Sequence, residues 1–106
     1  MRTAELTAQV MRIVTEESDI PKEMIYSANK SAEIVDARHL YIAMLHNMGL
    51  YVTIIARDLH CKERTVQYAI TKFNERISSN IPLKKTYQRV KSRLAKELES
   101  SEEEAK

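Results

Sequence analysis

The sequence predicts an all-α domain of six helices. One glycine and two prolines in 106 residues leave little to break a helix. Apolar residues recur at three- to four-residue intervals and nowhere alternate as a strand would, and Ala, Leu, Ile, Met, Lys and Glu are plentiful. This length holds one domain with a modest core and has little room for a second. We place a helical domain at residues 1–98 and an acidic disordered tail at residues 99–106, where SSEEEAK should fray.

The first helix, about Thr3 to Glu17, buries Leu6, Val10, Ile13 and Val14. Ser18-Asp19-Ile20-Pro21 ends it and opens a short second helix, because Asp19 can cap and Pro21 is tolerated in a first helical turn. Met24, Ile25 and Tyr26 supply the apolar contacts of that helix. Ser31 to Asn47 forms a long third helix, the spine of the core, with Ile34, Ala37, Leu40, Tyr41, Met44, Leu45 and Met48 along one broad face. Gly49 falls where a helix commonly ends on a left-handed residue.

Leu50 to Phe73 then reads as two short helices joined by a tight turn, a helix-turn-helix. Ile54 or Ile55, Ala56 and Leu59 form the inner stripe of the first, and Val66, Ala69, Ile70, Phe73 and Ile77 that of the second. The small Ala56 lets the two cross closely. Between them lies only His60-Cys61, with His60 at a turn position that often requires a left-handed backbone, which His tolerates better than most residues. Lys62, Glu63, Arg64 and Thr65 occupy the exposed first turn of the second helix, where such motifs present side chains to base edges. After Ser78-Ser79-Asn80, Pro82 sits near the start of a last amphipathic helix marked by Leu83, Tyr87, Val90, Leu94 and Leu98.

Charge is segregated along the chain. Residues 1–59 carry six Lys or Arg against eight Asp or Glu, residues 60–96 ten against two, and residues 97–106 one against five. The basic block begins at the turn and runs through the helices after it, as the electrostatic footprint for a polyanion should. Its overlap with the helix-turn-helix points to DNA as the partner; a solvated helix face is the plainer alternative. No stretch approaches the roughly 20 apolar residues of a membrane span, and the first residues carry acids where a signal peptide would not, so a cytoplasmic protein is expected. The single cysteine suits a reducing compartment.

IVTEESDIPKEMIYSANK, SAEIVDARHLYIAML, and IIARDL followed by ERTVQYAITKF match in order and spacing the opening helix and connector, the spine helix and the helix-turn-helix of one family. Over about residues 7–98 the chain resembles the C-terminal DNA-binding domain of DnaA, the bacterial chromosomal replication initiator. The resemblance implies a Trp-repressor-like six-helix fold that binds duplex DNA, with the recognition helix in the major groove and Arg38 reaching the minor groove. It also implies that Glu63 and Arg64 read bases beside the matching Thr65, and that Tyr68 stands where the family has a phosphate-contacting His. The signature loop departs from the family: a glycine pair followed by Arg-Asp-His-Thr-Thr is replaced by His60-Cys61-Lys62-Glu63-Arg64-Thr65, one residue shorter. No phosphate-binding GxxxxGK[ST] loop exists in a chain with one glycine, so neither a nucleotide nor ATP-driven origin melting is expected. A stand-alone module of this kind suggests a regulator, a mobile-element or phage protein, or a fragment of a larger chain.

Chemically, Arg64 can donate two parallel hydrogen bonds to a guanine, and Glu63 can accept from a cytosine amino group or pair with a nearby Lys or Arg. Thr65 can contact a base or phosphate, or serve the helix start. Gln67 and Tyr68 project to the flanks of the recognition helix; Lys62 and Lys72 meet phosphates, which position without specifying sequence. Lys84, Lys85, Arg89, Lys91 and Arg93 either extend that contact or solubilise the last helix. His60-Cys61 has poor spacing for zinc, with His39 and His46 remote in sequence and expected on the surface of the spine helix, so no metal or other cofactor is expected. No catalytic constellation stands out, and we expect a non-enzymatic binder. The alternative is a helical adaptor that binds protein through Met44, Met48, Tyr51 and neighbouring apolar residues, keeping the fold without DNA binding.

Overall fold

The computed structural model describes residues 2–105, with side chains for residues 2–99. Six helices follow in order: α1 Thr3–Ser18, α2 Lys22–Tyr26, α3 Ala32–Asn47, α4 Val52–Leu59, α5 Glu63–Ile77 and α6 Ile81–Ala105. The fold is all-α, with no strand among the described residues. No helix there is long and apolar enough to cross a membrane.

The core is built around α3. Leu40 to Leu45 are buried without interruption, so this segment is apolar on every side rather than along one stripe. A helix of that kind belongs at the centre. It touches α1, α2, α4, α5 and α6. Around it, α1 contributes Leu6, Val10, Met11, Ile13 and Val14, and α5 contributes Val66, Ala69 and Phe73. Phe73, almost fully buried, meets Tyr87 of α6 edge-on at 5.3 Å. Burying such a ring is worth about 2–3 kcal/mol. The last helix lies antiparallel to α1, since Glu17 pairs with Arg89, Glu16 with Arg93, and Arg12 with Glu97.

The ends of α3 and α4 share one closing device. Gly49 takes φ 95°, Leu50 N–H donates to Leu45 O at 3.2 Å and Gly49 N–H to His46 O at 3.0 Å. At the end of α4, His60 takes φ 55°, Cys61 N–H donates to Ala56 O at 2.9 Å and His60 N–H to Arg57 O at 3.3 Å. Both are Schellman closures, in which a left-handed residue turns two amides back onto carbonyls the helix leaves unpaired.

Two expectations change. Asp19 does not cap α2; with φ 60° it is the left-handed end of α1, beside Ser18, whose Oγ donates to Val14 O at 2.6 Å. Pro21 precedes α2 in extended conformation instead of entering its first turn, and its carbonyl accepts from Met24 and Ile25. At the other end of the chain α6 continues to Ala105, through residues expected to fray, because Glu and Ala are good helix formers. Its start follows the sequence: Asn80 Oδ1 caps Leu83 N–H at 3.1 Å, with Pro82 in the first turn.

Candidate nucleic-acid interface

α4 and α5 are joined by His60, Cys61 and Lys62, one residue more than the sequence suggests, because Lys62 is extended and forms the N-cap of α5. Ile55 and Ala56 press α4 against the core, while Val66, Ala69 and Phe73 do the same for α5. Helical spacing then turns Arg64, Tyr68 and Thr71 outward, all exposed. Glu63 is held in place, since its Oε1 accepts from Thr53 Oγ1 at 3.0 Å and thereby ties the exposed face of α4 to the first turn of α5.

Beside that outward ridge runs a groove. Thr65, Tyr68, Lys72 and Arg76 of α5 face Val35, Asp36, His39 and Ile42 of α3 across a cavity of about 610 Å³. A second cavity of about 310 Å³ continues it toward His60 and Cys61, the two sharing Lys30, Arg38, Ile42 and Thr65. The wall between them is set by Arg38. Its Nε donates to Ile25 O at 2.7 Å, and its Nη2 to Met24 O at 3.2 Å, Ser27 O at 2.7 Å and Asn29 O at 3.0 Å. The guanidinium thus satisfies carbonyls at the end of α2 and in the connector after it; Nη1 has no hydrogen bond among the described residues. Burial lowers the Arg38 pKa without approaching neutrality at ordinary pH.

Just before the turn, a polar cluster anchors α4. The fully buried Tyr41 donates its hydroxyl to Asp58 Oδ2 at 2.6 Å, and Tyr26 reaches the same carboxylate at 3.2 Å. The two phenol rings meet edge-on at 6.4 Å. Burial, then the Asp58 carboxylate, push the Tyr41 pKa far up, so it remains a donor.

Not every cation of the basic block is available. Arg76 Nε and Nη2 grip Asp36 at 2.8 and 2.9 Å in a fork that joins α5 to α3. Arg89 and Arg93 are taken by Glu17 and Glu16 of α1. Lys72 Nζ lies 3.6 Å from Glu75 and 6.0 Å from the Tyr68 ring centroid. Lys30, Lys62 and Arg64 are exposed and have no acidic partner among the described residues.

The predicted residues Lys62, Glu63, Arg64, Thr65, Gln67, Tyr68 and Lys72 therefore lie together along one exposed side of α5, and Arg38 lies behind the groove beside them. His46 is exposed as expected, but His39 is half-buried in the groove wall. Met44 is in the core and Met48 packs against it, so of the three residues named for the adaptor face only Tyr51, 77% exposed, stands free of the core. Sequence reasoning missed Lys30 and His39, and the ties Thr53–Glu63 and Tyr41–Asp58. The one available signal was His39 next to Arg38. Among the described residues no three His, Cys, Asp or Glu side chains gather as a metal site, and burial pushes the Cys61 thiol up, keeping it protonated. No protein-family model and no curated protein matches the chain.

Proposed function

We propose that the protein is a non-enzymatic module that binds double-stranded DNA, with the start of α5 in the major groove. The placement of cations carries this reading: Lys30, Lys62 and Arg64, without an acidic partner among the described residues, surround the outward face of α5 and its groove together with Lys72, whose pair with Glu75 is exposed, whereas Arg76, Arg89 and Arg93 are neutralised by acids from α3 and α1. A helix presenting cations at its start and flanks suits the major groove of a duplex, with phosphates on either side. Arg64 reads a base edge; Glu63, Thr65 and Gln67 flank it; Lys62, Tyr68 and Lys72 meet phosphates. Arg38 offers only Nη1 toward a minor groove, the rest of its guanidinium being spent on the connector after α2. The resemblance of residues 7–98 to the initiator domain supports the same reading, and a role in replication initiation rests on that resemblance alone.

The test begins with selection of a preferred site from randomised duplexes, followed by fluorescence anisotropy on its single-base variants. Arg64→Ala should lose discrimination at one position, by about 1–3 kcal/mol, while Lys72→Ala weakens all duplexes alike. Uniform loss in both variants would make Arg64 a phosphate contact. No duplex binding at low salt would end the reading and leave the adaptor.

A further inference from the structure

His39 is the one chemically active group of the groove that the duplex reading leaves unused. Its Nδ1 is shielded from solvent and is without a hydrogen-bond partner. The ring meets Tyr68 edge-on, with centroids 6.3 Å apart at 83°, and Lys72 Nζ stands beyond Tyr68. α3 and α5 thus line up an imidazole, a phenol and an ammonium along one cavity.

The charges facing His39 are uneven. From α3 come Asp36 and Arg38, from α5 Lys72 and Arg76 with the Tyr68 phenol, and from the segment ahead of α3 comes Lys30. Among the described residues Asp36 is the only carboxylate lining the cavity, and Arg76 holds both of its oxygens. Burial lowers the His39 pKa; Asp36 pulls it back up more than any one of Arg38, Arg76 and Lys72 pushes it down, and burial prevails. The free protein therefore holds His39 neutral in a cavity whose lining calls for an anion. A duplex supplies one. The cavity lies along the side of α5, shares Thr65, Tyr68 and Lys72 with the surface assigned to DNA, and so sits where a backbone flanking the major groove would run.

We propose that the α3–α5 groove seats a phosphodiester of the bound duplex and that His39 takes up a proton from solvent as that phosphate arrives, coupling DNA binding to proton uptake. The proposal rests on the duplex reading and adds His39 and the α3 wall of the groove to the site, with Lys30 ahead of α3 at its edge. An anion beside an imidazolium favours its charged form, and Lys30 and Lys72 hold the anion there. The direction follows. Above the His39 pKa of the bound state the ring is neutral with or without DNA, and affinity is flat with pH. As pH falls between the bound and free values, binding tightens, and below the free value the gain levels off.

Anisotropy with the selected duplex, from pH 8 to pH 5.5 at constant ionic strength, compares the wild type with His39→Gln, which keeps a polar side chain but cannot charge. The wild type should tighten on the order of tenfold more than the variant, because a close opposite charge raises such a pKa by about one to three, each a factor of ten. NMR titration of the wild-type His39 ring gives a second readout that needs no variant: its midpoint should rise when duplex is added. Identical pH profiles, or a midpoint unmoved or lowered by duplex, would overturn the proton-linked site while leaving duplex binding intact. A wild type that binds no duplex at any pH would remove the duplex reading itself and this site with it.

Discussion

Arg38 links two segments that share no helix. Its guanidinium donates to four carbonyls between Met24 and Asn29, so it completes the end of α2 and fixes the connector that carries Lys30. Hydrogen bonds from a charged donor are worth about 1.5–3 kcal/mol where the partners are left without water. Part of this site is open, so we expect Arg38→Ala to lower stability by about 1–2 kcal/mol in urea denaturation, with Arg38→Lys recovering only part, since an ammonium cannot span the four acceptors. The same variant separates two duties. Equal loss of affinity on A·T-flanked and G·C-flanked duplexes means that Arg38 acts by holding the connector; a loss confined to A·T flanks means that Nη1 enters the minor groove. The sequence marked Arg38 through the family resemblance alone, and its contacts within the protein had no local signal. Its acceptors are backbone carbonyls nine to fourteen residues away, which carry no side-chain signature.

Helices themselves were the most legible level, because apolar spacing and the left-handed stops at Gly49 and His60 are local properties. α4 and α5 fall where the pattern puts them, with the turn longer by Lys62. Asp19 was misread because the same residue type serves a helix start and a left-handed helix end, and only the path of the chain after α1 decides between them. α3 was read as having one apolar face; Ile42 and Ala43 are buried too, which requires neighbours on every side that a periodicity argument does not supply. Gly49 offers a test at this scale. A Cβ there would meet nothing within 4 Å, so Gly49→Ala isolates the backbone term from packing. With φ 95° the substitution should cost about 1 kcal/mol in thermal or urea unfolding, and a neutral result would mean that the turn relaxes out of the left-handed region.

Across the whole molecule, the count of ten basic residues in 60–96 overstates the positive charge that folding leaves free. Folding brings acids of the first half onto arginines of the second: Asp36 onto Arg76, Glu17 onto Arg89, Glu16 onto Arg93. Those pairs are between forty and seventy-seven residues apart, a separation at which sequence alone gives no partner. The candidate site was legible on α5, where neighbours three and four apart share a face, and illegible across the groove, where Lys30 and His39 join it only through the docking of α3. Two sets of cations bear on DNA contact, one around α5 (Lys30, Lys62 and Arg64, with Lys72 beside Glu75) and one on the exposed side of α6 (Lys84, Lys85, Lys91 and Lys96). Salt dependence distinguishes them. Each neutralised phosphate contributes about −0.9 to the slope of log affinity against log salt on B-form DNA. If the α5 side alone engages the duplex, four cations give a slope of about −4. If the α6 lysines wrap onto the same duplex, the slope approaches about −7 and Lys84→Ala with Lys85→Ala lowers it by roughly 2. We expect the shallower value, unchanged by the α6 substitutions, because Arg89 and Arg93 bind α6 to the α1 side of the domain.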